Sequence, residues 1–438
     1  MIPKPATSAP PYRLECTRCG AQYDPDPFRL TCAHSHAPAL LRVNYAVRQI
    51  RVQDQLPGIF RYLDWLPMQQ GLSISGRPVT YASQGLAHHL GLQKLFISFN
   101  GYWPEKGAFL YSCSFKELEA IAVLAQFQHT PSQTLVVSSA GNTGRAFATV
   151  GSQTTQPVCI VSPQSSLSAY WSHRPFRPNI SLVAVCNNAD YTDAIRVGQV
   201  IGSTSGFFPE GGVYNVARRA GMGLTVIDAA LEIGQLPQHY FQAVGSGTGG
   251  IAAWEASRLL QADGRFGSHP MRLHLAQNHP FTPLVQAWQQ QRPEISPISD
   301  QEAKGQIQQV MAPVLTNRTP AYSLTGGVYD ALRATGGQTY GISNDEVRQA
   351  GQLFAQLEGI DISPAAAVAT AALCRAVDQG TVRAQDSILL NITSGGIQRL
   401  RQDYQLVHLQ PHTSVDGAQP RGDLTRSLRA LLQVSIPA

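Results

Sequence analysis

A lysine at the start of a predicted helix is the first residue whose setting suggests chemistry. Lys116 lies in the segment CSFKELEA, in which Ser114 is a candidate N-cap and Glu117 occupies the capping-box position. Partial burial near the positive end of a helix lowers the pKa of an amine, and the neutral amine can then form a Schiff base. Lys116 is therefore a candidate for covalent attachment of a carbonyl compound; the alternative is one exposed lysine on an amphipathic helix.

Two later turns have the composition of anion-binding sites. SSAGNTG, residues 138–144, and GSGTGG, residues 245–250, each lie between a predicted strand and a predicted helix. Backbone N–H groups at a helix N-terminus bind carboxylates and phosphates, and small residues allow a close approach. The second turn also fits the GxGxxG dinucleotide pattern, but the following strand ends in Gln277 instead of the acid that would hold a ribose. We therefore predict a phosphate site without a dinucleotide.

Three cysteines near the N-terminus have the spacing of a metal site. Cys16 and Cys19 match a zinc knuckle, and Cys32 follows further along the chain. Ser35 stands where a zinc ribbon would place its fourth cysteine, so His34 or His36 would complete a Cys₃His site. The sequence thus leaves two interpretations, a structural zinc site or a ribbon that folds without metal.

The segments that must position these residues alternate between strand and helix patterns. Short apolar runs followed by helical periodicity predict an α/β fold with open, mostly parallel sheets covered by helices on both faces. A short amphipathic helix is also predicted near the C-terminus, in LTRSLRALLQ. The predicted strands are residues 95–99, 134–139, 157–163, 180–186, 240–245, 272–277 and 386–393.

Composition excludes several classes of protein. Of the 438 residues, 43% are hydrophobic and 14% charged, which is enough to bury a large core. The formal charge of +5 is mild, and no basic run is interleaved with aromatics, so no nucleic-acid partner is expected. No stretch of about 18 apolar residues and no apolar signal core is present, so we expect no membrane span and a cytoplasmic location. Seven cysteines, mostly scattered, do not suggest a disulfide framework.

The lysine motif and the two turns, in this order, resemble the fold-type II pyridoxal-phosphate (PLP) enzymes, which include threonine synthases, cysteine synthases and serine dehydratases. The resemblance covers about residues 80–400. It implies PLP as cofactor and a homodimer. It also implies a fold like that of the tryptophan synthase β subunit, with two open, mostly parallel twisted sheets and a small N-terminal zinc-ribbon-like module.

The resemblance assigns a role to each motif. Lys116 would carry the cofactor and act as the catalytic base, and Asn142 would bond the 3′-oxygen of the pyridoxal ring. Thr393, with Ser394 as the alternative, would face the pyridine nitrogen; a neutral hydroxyl there weakens the electron sink and disfavours transamination. The cofactor phosphate would be held by Gly245, Ser246, Gly247, Thr248 and Gly249, and the substrate carboxylate by Ser139, Ala140, Gly141 and Thr143.

The resemblance also predicts how the chain is divided. Residues 1–45 would form the N-terminal tail and zinc-ribbon-like module, and residues 410–438 a C-terminal tail and helix. A large PLP domain would comprise residues 46–110 and 205–409, and a small mobile α/β domain residues 111–204.

Several local strings resemble the cysteate synthases, a family related to the threonine synthases. They include PEKGAFLYSCSFKELEA, SSAGNTGRAFA, NVARRAGMG, TPAYSLTGGVYDAL, EGIDISPAAAVATAAL and LLNITSGG. Threonine synthases usually continue the lysine motif as SFKDRG, whereas this chain has Glu117-Leu118-Glu119. The implied reaction is a β-replacement on O-phospho-L-serine, a step of amino-acid biosynthesis in which sulfite displaces phosphate and L-cysteate is formed.

Three alternatives remain open at the sequence level. The first is a threonine synthase acting on O-phosphohomoserine, and the second is β-replacement with another nucleophile. The third is a catalytically silent binding protein of the same fold.

An anionic substrate, cofactor phosphate and sulfite together require cations close to the reacting carbon. Arg145, one turn into the helix that follows the asparagine loop, is the first candidate for substrate binding, because an Arg fork binds tetrahedral oxyanions bidentately. The further candidates are Arg218, Arg219, Lys106 and Arg318.

Overall fold

The computed structural model describes residues 10–128 and 133–417. Its first part is a small antiparallel sheet of β1 (Tyr12–Cys16), β2 (Gln22–Tyr23) and β3 (Leu41–Tyr45), with β1 in the centre. This sheet is the N-terminal module that the cysteine spacing predicts.

The remaining strands make up two larger sheets and two short pairs. In chain order they are β4 (Val79–Ala82), β5 (Lys94–Phe99), β6 (Tyr102–Trp103), β7 (Ala108–Phe109), β8 (Thr134–Ser138), β9 (Val158–Pro163), β10 (Trp171–Ser172), β11 (Ile180–Cys186), β12 (Phe207–Pro209), β13 (His239–Ala243), β14 (Arg272–Asn278), β15 (Gln338–Ile342), β16 (Ser387–Ile392), β17 (Val407–His408) and β18 (Thr413–Asp416).

Helices alternate with these strands along most of the chain. Within the described residues they are α1 (Gly85–His89), α2 (Lys116–Gln126), α3 (Asn142–Gly151), α4 (Tyr191–Gly202), α5 (Val216–Ile233), α6 (Thr248–Asp263), α7 (Pro283–Gln289), α8 (Asp300–Ile307), α9 (Val328–Thr335), α10 (Asn344–Glu358), α11 (Pro364–Asp378) and α12 (Ile397–Asp403).

Two open sheets form the body of the molecule. The larger has six strands in the order β15-β14-β13-β16-β5-β4, and β4 is its one antiparallel member. The smaller has five strands in the order β12-β8-β9-β11-β18, all parallel. The predicted α/β class with mostly parallel sheets is confirmed, and each predicted strand is present with its ends within two residues of those expected.

Both sheets are covered on both faces. Every residue of β9, β13 and β16 is buried, which is typical of parallel strands that lie between layers of helices. Helix α5 packs between α2 and α6 and so joins the layer that carries Lys116 to the helix that follows the second glycine turn.

The sheet pairing differs from the predicted division of the chain at two places. The sequence assigned residues 207–209 to the large domain and residues after 409 to a tail, yet β12 and β18 are the two edge strands of the smaller sheet. Both join through pairings with β8 and β11 that are distant in sequence, which local patterns do not reveal. The helix predicted in LTRSLRALLQ lies outside the described residues. Within residues 10–128 and 133–417, no helix is long and apolar enough to cross a bilayer.

Candidate active site

The carboxyl ends of three strands lead into loops that line one cavity. β8 belongs to the smaller sheet, and β13 and β16 belong to the larger, so the cavity of about 800 Å³ lies between the two. All but one of the residues predicted for the cofactor and substrate line it: Lys116, Ser139, Ala140, Gly141, Asn142, Thr143, Gly245, Ser246, Gly247, Thr248, Gly249 and Thr393. The motifs that the sequence separates by more than a hundred residues therefore meet in space.

Lys116 is the first residue of α2, and its amine faces the cavity. Its Nζ lies 3.2 Å from Glu119 Oε2 and 3.7 Å from the sulfur of Met222. Burial lowers the pKa of this amine; the positive charge of Arg218 acts in the same direction and the carboxylate of Glu119 acts against both. The lowered pKa predicted for the lysine is thus present, with desolvation as its main cause.

The predicted capping box at the start of α2 does not form. Ser114 Oγ accepts a hydrogen bond from the Lys116 backbone N–H at 3.2 Å, but the Glu117 carboxylate turns back to accept the N–H of Ser112 at 2.6 Å. Glu117 therefore ties the helix to the preceding loop, and burial raises the pKa of its carboxyl to about 7.

A buried charge network stands behind the lysine. Glu119, fully buried, contacts Lys116 through one oxygen, and its other oxygen lies 3.3 Å from Nη2 of Arg218. Arg218 Nε donates to Glu210 Oε1 at 2.8 Å. Both carboxylates hold the guanidinium from one side, and its Nη1 makes no hydrogen bond to any described residue. Arg218 lines the cavity, so this free N–H group is available to a ligand.

The loop after β8 presents backbone donors to the cavity. Ser139 Oγ accepts the N–H groups of Gly141 and Gly144 at 3.1 and 2.8 Å and so fixes the turn. Helix α3 begins immediately afterwards, at Asn142, and the first N–H groups of a helix have no partner within it. The loop therefore presents backbone donors of the kind that bind carboxylates.

Arg145 does not line the cavity, which corrects its expected role in substrate binding. Its guanidinium donates to the carbonyl oxygens of Ser112 at 2.9 Å and Ala169 at 3.0 Å. It also donates to the side-chain oxygen of Asn142 at 2.7 Å and stacks 4.3 Å from the Trp171 ring centroid. Because an arginine can only donate, this contact fixes the Asn142 amide with its oxygen towards Arg145 and its NH₂ group free. Arg145 thus orients Asn142.

The glycine turn after β13 is as tight as the sequence suggests. Gly247 has φ +82°, and a Cβ there would lie 2.2 Å from the Val328 side chain. A Cβ at Gly249 would lie 2.2 Å from the Gln242 amide nitrogen. Helix α6 begins at Thr248, so the turn brings its backbone N–H groups to the cavity without side chains in the way.

The segment after β16 distinguishes the two hydroxyl candidates. Thr393 lines the cavity, and its hydroxyl has no hydrogen-bond partner among the described residues. Ser394 is buried elsewhere and donates to the Cys113 carbonyl oxygen at 2.7 Å. This geometry favours Thr393 as the residue that faces a ring in the cavity.

The charged side chains that line the cavity are cations, and the carboxylates paired with them, Glu119 and Glu210, are not among the lining residues. Lys116 and Arg218 are the cations of that lining, and no carboxylate among the described residues joins them there. The other candidate cations lie elsewhere. Arg219 is buried beside Glu255, Arg318 pairs with Asp190 and Asp300, and Lys106 packs over the rings of Tyr81 and Trp103.

Some lining residues carry no motif that could have identified them. Tyr191 at the start of α4, Gln242 at the end of β13, and the turn at residues 313–317 all reach the cavity. Tyr191 and the turn follow no signature, and only the fold brings them there.

The N-terminal cysteines also converge. Cys16, Cys19, Cys32 and His36 place one ligand atom each within 4.8 Å of one another. His34 Nδ1 lies 3.6 Å from Cys19 Sγ, but His36, with its Nε2 3.4 Å from Cys16 Sγ, is the histidine that lies close to all three cysteines. Three thiols and one imidazole are a donor set that suits tetrahedral zinc.

The cavity residues fit PLP group by group. Lys116 supplies an amine, and the glycine turn supplies a phosphate cradle that no side chain could occupy. Thr393 supplies an unpaired hydroxyl for the ring nitrogen, and the Asn142 amide an oriented donor for the ring oxygen.

Comparisons with known proteins agree with this geometry. Residues 85–394 match the family described as pyridoxal-phosphate dependent enzyme. The chain is 51% identical to the cysteate synthase of Methanoregula boonei, over 93% of this chain and 95% of the relative. It is 47% identical to that of Methanosarcina barkeri, over 91% and 95%. The threonine synthase structure of Escherichia coli shares the fold, with a TM-score of 0.57 at 14% identity, covering 78% of this chain and 79% of that one. The chain therefore belongs to the cysteate synthase family of PLP-dependent enzymes.

Proposed function

We propose that this protein catalyses a PLP-dependent β-replacement in which O-phospho-L-serine and sulfite give L-cysteate and phosphate. The observation that carries the proposal is the cavity lining, in which the Lys116 amine and the Arg218 guanidinium are the charged groups among the described residues. The Glu119 carboxylate, 3.2 Å from the amine, is not part of that lining. The naming of its relatives as cysteate synthases supports the same reaction.

The cofactor would be held by the residues that already face one another across the cavity. Lys116 would hold it covalently, Gly245–Gly249 would bind its phosphate, and Asn142 and Thr393 would bond the ring oxygen and ring nitrogen. When bound, PLP supplies an electron sink for negative charge at the substrate Cα. The neutral Thr393 hydroxyl can bond the ring nitrogen without protonating it, which favours loss of a β-substituent over transamination.

Lys116 would also move the proton. Its lowered pKa keeps the released amine neutral enough to accept the Cα proton, a general-base role. Glu119, 3.2 Å away, accepts a hydrogen bond from the resulting ammonium. Phosphate leaves with the electron pair of the Cβ–O bond, the sulfur of sulfite forms the new bond to Cβ, and Lys116 returns the proton to Cα.

The anionic groups of the substrate would be shared between two sites. The N–H groups that open α3 would bind the carboxylate, and the free Nη1 of Arg218 would bind the departing phosphate and then sulfite. The two carboxylates that hold Arg218 raise its pKa, so it stays charged throughout. An arginine fixed in this way suits tetrahedral oxyanions.

The test is a substrate panel with the purified holoenzyme. Phosphate release and product mass are measured for O-phospho-L-serine and for O-phosphohomoserine, each with sulfite, sulfide or neither. We expect phosphate and cysteate only from O-phospho-L-serine with sulfite. The Lys116→Ala variant should lose turnover by at least about 10³-fold and lose covalent cofactor, whereas Lys106→Ala, outside the cavity, should keep both.

Other outcomes of this panel identify another function. Threonine from O-phosphohomoserine would indicate a threonine synthase, and a sulfide product would indicate another nucleophile. A protein that binds PLP at Lys116 and turns over no substrate would contradict the proposed reaction.

A further inference from the structure

A second cavity lies between the N-terminal module and the body. It lies between β3, α5 and α6, measures about 770 Å³ with its opening to solvent included, and shares no lining residue with the active site. Its lining includes small residues, Ala220 and Gly223 of α5 and Ala252 and Ala256 of α6, and at Gly223 the two helices are in close contact, since a Cβ there would lie 3.2 Å from that of Ala256. We call this space the arginine cavity, after Arg42, Arg219 and Arg258 in its lining.

The charges of the arginine cavity are unbalanced. Three guanidinium groups line it, and Glu255 is the one described carboxylate among the lining residues. Burial lowers the pKa of Arg42, and the positive charges of Arg258 and Arg219 lower it further, while Glu255 opposes them. Like charges brought together in a partly enclosed space are costly without a counter-ion. The excess positive charge indicates an anionic ligand.

The three arginines differ in how many of their N–H groups already donate hydrogen bonds within the protein. Arg219 is almost fully buried, and each of its three nitrogens already donates a hydrogen bond: to Glu255 at 2.9 Å and to the backbone oxygens of Val213 and Leu41. Arg42 Nε is buried without a hydrogen-bond partner. Arg258, at the mouth of the cavity, makes no ion pair with a described residue and only lies over the Trp254 ring, 5.6 Å from its centroid. Arg42 and Arg258 are thus the donors available to a ligand.

Glu255 provides an acceptor beside these donors. Its Oε2 is bonded to Arg219, but its Oε1 is buried without a hydrogen-bond partner. Arg42 Nε lies 3.8 Å from that oxygen, close enough for an ion pair but too far for a hydrogen bond. Buried polar atoms normally have partners, so an unpaired donor and an unpaired acceptor side by side indicate a ligand that carries both kinds of group.

We propose that the arginine cavity binds an acidic α-amino acid at a site separate from the active site. The ammonium group of the ligand donates to Glu255 Oε1, and its two acidic groups accept from Arg42 and Arg258. Its short carbon chain lies against Ala220, Gly223 and Ala256. This assignment rests on the cavity itself and holds whatever reaction the active site catalyses.

The experiment measures binding of L-aspartate and L-cysteate to the PLP-loaded protein by calorimetry, with the visible spectrum of the cofactor recorded in parallel. An amino acid that enters the active site changes that spectrum, so the two sites are distinguishable. We expect a binding event that leaves the spectrum unchanged. It should weaken at least about tenfold in Arg258→Met and Arg42→Met, which keep the length of the side chain without its charge.

Two controls make the test specific. Arg348 is exposed, lies outside the arginine cavity and pairs with Asp345, so Arg348→Met should bind as the parent does. Succinate, which lacks the ammonium group, should bind more weakly than aspartate, and Glu255→Gln should remove most of that difference. The proposal is overturned if every binding event changes the spectrum, if both arginine variants bind normally, or if succinate equals aspartate.

Discussion

At the residue scale, the lysine works within a network that the motif alone does not reveal. Glu119 contacts the Lys116 amine and the Arg218 guanidinium with its two oxygens, and no solvent reaches it. The same carboxylate can therefore stabilise the ammonium that forms when the lysine takes a proton and keep the arginine in place for an anion.

Replacement of this carboxylate should appear in the pH dependence of turnover. In Glu119→Gln the ammonium loses a negative neighbour, so the amine stays neutral to lower pH and the acidic limb of kcat moves to lower pH. The weaker base should reduce kcat by about tenfold at the optimum. A pH profile of kcat for parent and variant checks this, and an unchanged acidic limb would show that Glu119 has only a structural role.

The roles of site residues can be predicted from sequence where the backbone fixes the position of the group. They are harder to predict where the role depends on the direction of a long side chain. Lys116, Asn142 and the glycine turn follow from local sequence because a helix start or a tight turn fixes where their groups point. The position of Arg145 in its helix predicts a contact with the substrate, but Arg218 lines the cavity and Arg145 does not. Which of these arginines reaches the site depends on packing between helices distant in sequence.

At the element scale, the start of α6 depends on a tight glycine turn and the start of α2 contains a buried carboxyl group. The turn before α6 needs a left-handed residue with no side chain at Gly247, and the second residue of α2 is the buried acid Glu117. Each leads to a separate prediction.

Gly247→Ala should weaken the binding of PLP by at least about tenfold. The added Cβ would meet Val328 at 2.2 Å, so the turn must move away from the cofactor phosphate. Gly234→Ala is the matched control, because Gly234 has a similar φ of +79° at the end of α5 but open space around its Cβ. Both variants should lose about 1 kcal/mol of stability from the backbone. Equal PLP affinities, measured by titration of the apoprotein, would contradict the phosphate role of the turn.

Glu117 should make the protein less stable as the pH rises towards neutrality. Its pKa is raised from 4.5 to about 7, so between these values the folded chain holds a proton that the unfolded chain has released. Stability from this group is full below pH 4.5 and falls as the pH passes through 7, by a total of about 3 kcal/mol.

Glu117→Gln should remove this part of the pH dependence. The free energy of unfolding, measured in denaturant at several pH values, should vary less with pH in the variant than in the parent. The exposed Glu294→Gln serves as control and should keep the parent's dependence.

At the scale of the whole molecule, the N-terminal module is attached through specific contacts. Thr17 donates through its hydroxyl to the backbone oxygens of Leu40 and Thr325, and the N–H of Leu40 also donates to Thr325. The cysteine cluster thus lies in a module that is bonded to the loop before α9.

We expect one zinc ion per chain in the purified protein, held by Cys16, Cys19, Cys32 and His36. His36→Ala should lose the metal and lower the midpoint of thermal unfolding, because structural zinc contributes directly to folding free energy. His34→Ala should keep the metal, since His34 is not part of the cluster. Metal analysis and thermal unfolding of both variants decide this, and zinc retained in His36→Ala would contradict the ligand set.

The overall architecture was predictable because strand and helix patterns alternate so regularly between residues 90 and 400. The edges of the smaller sheet were not. β18 pairs with β11 across more than two hundred residues, and nothing in TSVD distinguishes an edge strand from a loop. Whether a short segment pairs as an edge strand depends on the tertiary structure around the sheet edge, which local sequence does not encode.

Two consecutive arginines of helix α5 line different cavities: Arg218 lines the active site, and Arg219 lines the arginine cavity. Helix α5 therefore forms part of the wall of both cavities, and a substitution that shifts the helix at one cavity is expected to alter the other. Attempts to redirect the enzyme to a new substrate should therefore vary Tyr191 and the turn at residues 313–317, which line the active site but not the arginine cavity, and leave α5 intact.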